Sequence, residues 1–182
     1  IVGESGYEFR DLNGNGSVDP YEDWRKPIDA RVDDLVARMT LEEKAGLMLI
    51  QTLNGGCAGA APALADNYIG VQMMHRFIFR NVVDAVGTCA PDSGIRAGSR
   101  LTPAEAAKYM NTIQAMTEAT RLGIPALFKS NARNHFERDA RTAINNSSGV
   151  MSEFPKEAGI AAAALGEEFR NKGTTTVGDM AV

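Results

Sequence analysis

Apolar side chains begin to recur at helical spacing after a polar opening segment that is rich in Gly, Asp and Asn. Asp29 is expected to cap the first helix, because apolar residues then follow at intervals of three and four. We interpret residues 1–26 as an ordered lead-in and this helix as the first core element. The apolar positions of the helix are Val32, Leu35, Val36 and Met39.

Two further helices begin with capping boxes. The segments Thr40–Glu43 and Thr102–Glu105 each place a threonine three residues before a glutamate, so that the two side chains can satisfy each other's backbone N–H groups. Pro103 occupies the first helical position of the later helix, and Gly123 is expected to end that helix in a left-handed conformation. Its buried stripe is predicted to be Ala106, Met110 and Ile113.

Short apolar segments alternate with the helices, and a fourth helix is predicted at 155–172. This alternation predicts parallel β/α units. The long strand-to-helix loops, 80–101 and 129–154, would lie on the catalytic face of a β/α barrel. A complete barrel needs about 250 residues, so we expect an α/β fold that forms a partial (β/α) TIM-barrel-like domain. The predicted strands are 70–79, 124–128 and 174–182.

Composition narrows the function classes. With 182 residues and a net charge of −4 mixed along the chain, nucleic acid and membrane are not expected partners, and no apolar run approaches a membrane span. The chain starts at Ile1 rather than Met, so we expect that a segment has been removed. We also expect a secreted or periplasmic location. Cys57 and Cys89 either pair in an exported protein or remain two free thiols.

One loop matches the calcium-binding pattern D-x-[DN]-x-[DN]-G-x5-E. The spacing matters because a short loop must wrap several hard oxygen ligands around one ion. A turn rich in Gly and Asn with capping acids is the alternative interpretation. We expect a structural Ca²⁺ whose ligands would be Asp11, Asn13, Asn15, the carbonyl of Ser17, Asp19 and Glu22.

A second polar cluster directly follows the strand predicted at 124–128. Asn131, Arg133 and His135 would point into the ligand site of a barrel, where they can bond to sugar hydroxyls. The alternative is a polar loop that satisfies its own backbone. His75 lies in an apolar run and is expected to be a core histidine rather than a ligand.

Several stretches resemble glycoside hydrolase family 3, the β-glucosidase and exo-glucosidase family. The most specific is the helical signature that runs from Arg31–Leu35 to Met39–Lys44. The likeness covers most of the chain, although 52–69 and 81–99 match poorly. The other segments are Phe9–Asn13 with Asp19–Arg25, Arg121–Pro125, Phe154–Pro155 with Gly159–Ala162, Glu168–Arg170 and Gly173.

The resemblance implies a barrel-like first domain, residues 27–182, preceded by the lead-in 1–26. It implies that Asn131 stands where many members have a sugar-binding Asp, and that His135 lies near the family's following His. The family's Lys-His pair, Asp nucleophile and Glu acid/base have no counterpart here, so no catalytic residue is expected within this chain.

Three hypotheses follow. The first is the N-terminal part of a retaining β-glucosidase-type hydrolase of terminal β-linked glucose or xylose, inactive without the remainder of the parent chain. The second is a non-catalytic carbohydrate-binding or calcium-stabilised module of the same descent. The third is an unrelated barrel or α/β protein. A carbohydrate is the expected partner in the first.

Overall fold

The computed structural model describes residues 1–83, 85, 87, 89, 99–129, 159 and 161–163. They belong to two compact units, each assembled from separate stretches of the chain. The first unit comprises 1–53, 61–79 and 108–129, and the second comprises 54–60, 80–107 and 130–182. The predicted boundary between residues 26 and 27 remains a prediction.

The lead-in is a β-hairpin followed by a tight loop. Strands β1 (Val2–Glu4) and β2 (Tyr7–Phe9) pair in antiparallel fashion. Ser5 and Gly6 join them at φ values of 52° and 80°, the positive pair that a two-residue hairpin turn requires. Phe9 is buried, so the lead-in contributes to the core of the first unit.

Helices α1 (Ile28–Arg38) and α2 (Leu41–Met48) follow. The prediction that Asp29 caps α1 is wrong. Pro27 occupies the cap position without a side-chain bond, and Asp29 lies inside the first turn. There its negative charge interacts favourably with the positive end of the helix dipole. The predicted capping box of α2 is confirmed, because Thr40 and Glu43 bond to each other's backbone N–H groups.

The apolar face of α1 is largely uncovered in the described part of the chain. Val32 and Val36 are 50% and 45% exposed, and no residue of α1 is buried. Met39, at the C-terminal cap, is buried. The helical period is therefore confirmed, while the burial expected of that face is not observed among these residues.

A three-stranded parallel sheet is the centre of the first unit. Strands β3 (Gln51–Thr52), β4 (Arg76–Ile78) and β5 (Leu127–Lys129) are neighbours in chain order. The strand predicted at 124–128 is confirmed as β5, which begins three residues later and ends one residue later. No strand was predicted at β3, so β3 is an addition to the predicted elements.

The strand predicted at 70–79 is shorter than expected. A short helix α3 (Leu64–Asp66) continues into a π-helical turn, Asn67–Val71, and β4 begins only at Arg76. Met73 has a φ of 54°, which interrupts an extended backbone. The helical segment is therefore part of the connection between β3 and β4, and its last turn occupies the beginning of the strand predicted at 70–79.

Helix α4 (Pro103–Glu118) covers the sheet through aromatic contacts within the first unit. Tyr109 is fully buried, stacks on Phe79 and donates a hydrogen bond of 2.7 Å to the carbonyl of Leu53. Ile113 is buried as predicted, whereas Met110 is only partly buried. The predicted capping box at Thr102–Glu105 is confirmed.

Gly123 adopts the predicted left-handed conformation, with a φ of 59°. The helix, however, ends at Glu118, and Gly123 lies in the turn that follows. A Cβ at this position would lie 2.3 Å from the carbonyl oxygen of Leu12. Both the backbone conformation and the close approach of the lead-in therefore require glycine.

Two predicted elements lie mostly outside the described residues. Of the helix at 155–172, only 159 and 161–163 are described, and they are helical. The strand at 174–182 is not among the described residues. Within the described part, no helix is both long enough and apolar enough to cross a membrane.

Candidate functional site

The carboxyl ends of β3, β4 and β5 lie at one edge of the sheet, because the three strands are parallel. In β/α proteins, ligand-binding groups sit on the loops that follow this edge. The predicted binding residues Asn131, Arg133 and His135 follow β5 and lie outside the described residues. Their role in binding a sugar remains a prediction.

The loops that follow β3 and β4 in the chain belong to the second unit and are tied together by Asn81. This side chain is 1% exposed. Its Oδ1 accepts a 2.8 Å hydrogen bond from the N–H of Gly55, and its Nδ2 donates to the carbonyls of Gly55 and Ser99 at 2.8 Å. A buried amide with satisfied donors and acceptor fixes the local backbone.

A disulfide joins the same loops. Cys57 and Cys89 are bonded across 32 positions of sequence, with 4.6 Å between their Cα atoms. The sequence left open whether these cysteines form a disulfide or remain free thiols, and the disulfide is confirmed. By the chain-entropy model, closing a loop of this length stabilises the folded state by roughly 3–4 kcal/mol. Together with Asn81, the disulfide holds the segment that carries Arg80.

Arg80 is the second residue after β4. Its backbone N–H donates a 2.9 Å hydrogen bond to Oδ1 of Asn54. Its Nε is buried and makes no hydrogen bond to any described residue. Sequence analysis did not single out this residue, since a lone arginine after an apolar run carries no recognisable motif.

The predicted calcium loop is closed by short-range hydrogen bonds. The carboxylate of Asp11 accepts from the backbone N–H groups of Asn15 and Gly16 at 3.0 and 2.9 Å. Oδ1 of Asn15 accepts from the N–H of Ser17 at 2.8 Å. Gly16 has a φ of 79°, as the sharp turn at the sixth position of such a loop requires.

Glu22 closes the other end of the loop. Its side chain is buried, and its two oxygens accept from the N–H groups of Leu12 and Asp19 at 2.7 and 2.9 Å. Oδ2 of Asp19 accepts from the amide nitrogens of Asn13 and Asn15, and its Oδ1 pairs with Arg38 at 2.8 Å. Hydrogen bonds therefore link Asp19 to Asn13, Asn15 and Glu22, and the carboxylate oxygens in these links accept from nitrogen donors.

No group of three or more His, Cys, Asp or Glu side chains is placed to hold a metal among the described residues. The loop contains the carboxylates of Asp11, Asp19 and Glu22, but they do not form such a group. A cation here would depend on Asn13, Asn15 and the carbonyl of Ser17. The calcium assignment stays a prediction.

His75 lies at the opposite, amino-terminal end of β4. It is 6% exposed, and its ring Nδ1 is 2.7 Å from the carbonyl oxygen of Ile124, so this nitrogen carries the proton and donates. Burial lowers the pKa of His75, opposed by that hydrogen bond and by the charge of Glu43. The prediction of a satisfied core histidine is confirmed.

A cavity of about 390 Å³ adjoins His75 and has mostly apolar walls. Its charged part is the ion pair of Arg121 with Glu43, at 3.0 and 2.5 Å. This pair holds the pKa of Glu43 below its usual range, so the carboxylate is ionised and already bound. The cavity lies at the amino-terminal end of β4, away from the carboxyl edge of the sheet.

Comparison with known proteins gives several curated relatives, although no protein-family model matches the chain. A periplasmic β-glucosidase/β-xylosidase of Dickeya chrysanthemi is 34% identical over 170 residues, 92% of this chain and 23% of the relative. A probable β-glucosidase C of Aspergillus oryzae is 34% identical over 155 residues, covering 81% of this chain and 21% of the relative.

A third relative, β-glucosidase C of Emericella nidulans, is 31% identical over 138 residues, which is 74% of this chain and 19% of the relative. The chain thus spans about a fifth of the length of the curated relatives that it matches.

Proposed function

Because this chain belongs to glycoside hydrolase family 3, the family of these β-glucosidase and β-xylosidase relatives, we propose that it is the N-terminal part of such a hydrolase. The parent would cleave terminal β-linked glucose or xylose with retention of configuration. The observation that carries the proposal is 34% identity across 92% of the chain to a β-glucosidase/β-xylosidase.

We further propose that the first unit is the beginning of a (β/α) barrel. The order β3–β4–β5 supports it, since each strand is parallel to the next and neighbours it in both sequence and space. Helix α4 lies between β4 and β5 in the chain, as the crossover of a β/α unit does. The remainder of the parent would supply the other strands.

Retaining hydrolysis requires two carboxyl groups about 5–5.5 Å apart, one as nucleophile and one as acid/base. The two buried carboxylates of the described residues, Glu22 and Asp23, are already engaged. The hydrogen bonds from Arg25 lower the pKa of Asp23 to about 2, and a carboxyl so acidic cannot act as a general acid near neutral pH. We propose that the catalytic acids come from the remainder of the parent.

The proposed sugar site uses the loop that follows β5. Asn131, Arg133 and His135 offer donors and acceptors that suit hydroxyl groups. Asn131 is neutral, where the resemblance implies an Asp in many members, so its bonds to hydroxyls would lack the strengthening that a charge gives. We expect Asn131→Asp to raise the affinity of the parent for glucose, measured by calorimetric titration, with Asn131→Ala as the contrasting variant.

We also propose that the loop from Asp11 to Glu22 binds a structural Ca²⁺. The convergence of Asn13, Asn15 and Asp19 and the buried carboxylate of Glu22 support it. An ion would draw the amide oxygens toward the loop centre in place of the amide nitrogens that now face Asp19. The ion would fasten the lead-in and take no part in hydrolysis.

A secreted or periplasmic location is part of the proposal. The disulfide between Cys57 and Cys89 supports it, because such bonds persist in oxidising compartments. One relative is named as periplasmic.

The activity is tested on the full parent with aryl β-glucosides and aryl β-xylosides. We expect release of the aryl group, and a β-configured sugar as the first product by proton NMR. Release of an α-configured sugar would overturn retention. Binding of glucose without any turnover would favour the alternative, a non-catalytic carbohydrate-binding module.

A further inference from the structure

One donor of the Arg80 guanidinium, the Nε–H, has no acceptor in the described part of the chain. Its Nε is buried and unbonded, while the residue as a whole is only partly buried. By contrast, Arg25, Arg38 and Arg121 each pair with a carboxylate. A buried donor without a partner costs about 1–3 kcal/mol, and more when the group is charged. In native proteins nearly all buried donors are paired with protein or with ordered water, so an unpaired one requires an explanation.

The backbone at Arg80 is held by hydrogen bonds around it. Its N–H is bonded to Asn54, and the next residue, Asn81, is buried and makes three hydrogen bonds. The disulfide from Cys57 to Cys89 closes the same loops. A side chain that starts from a fixed backbone and remains unpaired resembles a preorganised binding group.

The chemistry of the missing partner follows from the guanidinium. It carries five N–H donors and no acceptor, so the partner must offer oxygen atoms that accept. Arg80 follows the carboxyl end of β4 by two residues, and groups in that position of a β/α protein face the ligand. The sugars proposed above are neutral and carry an accepting oxygen on every hydroxyl.

We propose that Arg80 is a substrate-binding residue that donates hydrogen bonds to a hydroxyl of the terminal sugar. The inference rests on the proposed function and adds to it a residue after β4, separate from the loop after β5. The alternative partner is a carboxylate from the remainder of the parent chain, which would make Arg80 a structural group.

The test compares Arg80→Ala and Arg80→Lys in the full parent on an aryl β-glucoside and on its 2-, 3-, 4- and 6-deoxy analogues. Arg80→Ala should lower kcat/KM on the glucoside by about 10- to 100-fold, the loss expected for a charged hydrogen bond. On the analogue that lacks the contacted hydroxyl, the same substitution should cost less than about threefold, because the interaction is already absent. Lysine should restore part of the activity.

Arg76→Ala is the matched control. Arg76 opens β4, the strand that Arg80 follows, lines an apolar groove at the amino-terminal end of that strand and, like Arg80, is partly buried. Its loss should affect every substrate equally. An equal loss on all analogues in Arg80→Ala, with or without a lower melting temperature, would overturn the inference and identify a structural partner.

Glucose binding separates this inference from the proposed function. Calorimetric titration of the parent with glucose should show binding that Arg80→Ala weakens by at least tenfold and that Arg76→Ala leaves unchanged. If the wild-type parent hydrolyses none of the substrates but shows this pattern, the proposed activity fails and the role of Arg80 stands. If the affinity for glucose is unchanged in Arg80→Ala, the inference is overturned even if the parent hydrolyses the substrates.

Discussion

Replacement of Gly46 by alanine should destabilise the protein, although alanine is the better helix former. Gly46 is buried in α2, and the helix packs so closely on the segment before β4 that a Cβ would lie 2.3 Å from the carbonyl oxygen of Gln72 and 2.4 Å from that of Met73. Ordinary contacts begin at 3.4 Å. The obstacles are backbone atoms, so α2 or the segment must shift by about an ångström.

The magnitude follows from two opposing effects. Alanine within a helix is favoured over glycine by about 1 kcal/mol, whereas overpacking a tight contact costs about 1–3 kcal/mol. Because the clash involves rigid backbone on both sides, we expect the upper part of that range and a net loss of about 1–2 kcal/mol. The assay is urea unfolding of the parent, followed at the transition that reports this domain.

Gly70→Ala is the matched control, because Gly70 also lies in a helical turn but has no heavy atom within 4 Å of a built Cβ. It should leave the free energy of unfolding unchanged or raise it by up to about 1 kcal/mol. Equal stability of the two variants, or a Gly46→Ala variant more stable than wild type, would refute the packing of α2 on the segment before β4.

Three other predictions follow from the site and the loops. If Ca²⁺ is bound, EDTA should lower the melting temperature and Asp11→Ala should remove that sensitivity; an EDTA-insensitive melt contradicts the assignment. Because burial lowers the folded-state pKa of His75, stability should be fully present above the unfolded pKa of about 6.5 and fall as the pH drops below it. His75→Gln should flatten this dependence, and an unchanged pH profile would show that other groups cause it. The 182-residue chain alone should not hydrolyse an aryl β-glucoside above background, since we propose that the two carboxyls required for retaining hydrolysis lie in the remainder of the parent; turnover that is abolished by substitution of Glu153, Asp139 or Asp179 would instead place the catalytic acids within this chain.

Local signals in the sequence predicted the features that depend on neighbouring residues. Both capping boxes were predictable, because Thr40 with Glu43 and Thr102 with Glu105 bond within one turn of helix. The left-handed conformation of Gly123 was predictable for a similar reason. Family membership was also readable, since short motifs persist in order along the chain.

Features that depend on distant partners could not be read in the same way. Strand β3 consists of Gln51 and Thr52 alone, too short for any periodicity, and it is a strand because β4 supplies its hydrogen bonds. Asp29 was a plausible cap by composition, yet the chain enters α1 through Pro27, and Asp29 lies within the first turn.

The loops after β3 and β4 show the same difference between features set by neighbouring residues and features set by distant partners. The sequence left the pairing of Cys57 and Cys89 open, because spacing does not state which loops meet. Only the tertiary structure brings the residues around Asn81 together across 26 positions of sequence. That the buried Nε of Arg80 has no acceptor among the described residues is also known only from the tertiary structure, because burial and hydrogen-bond partners are properties of the three-dimensional surroundings rather than of the residue type.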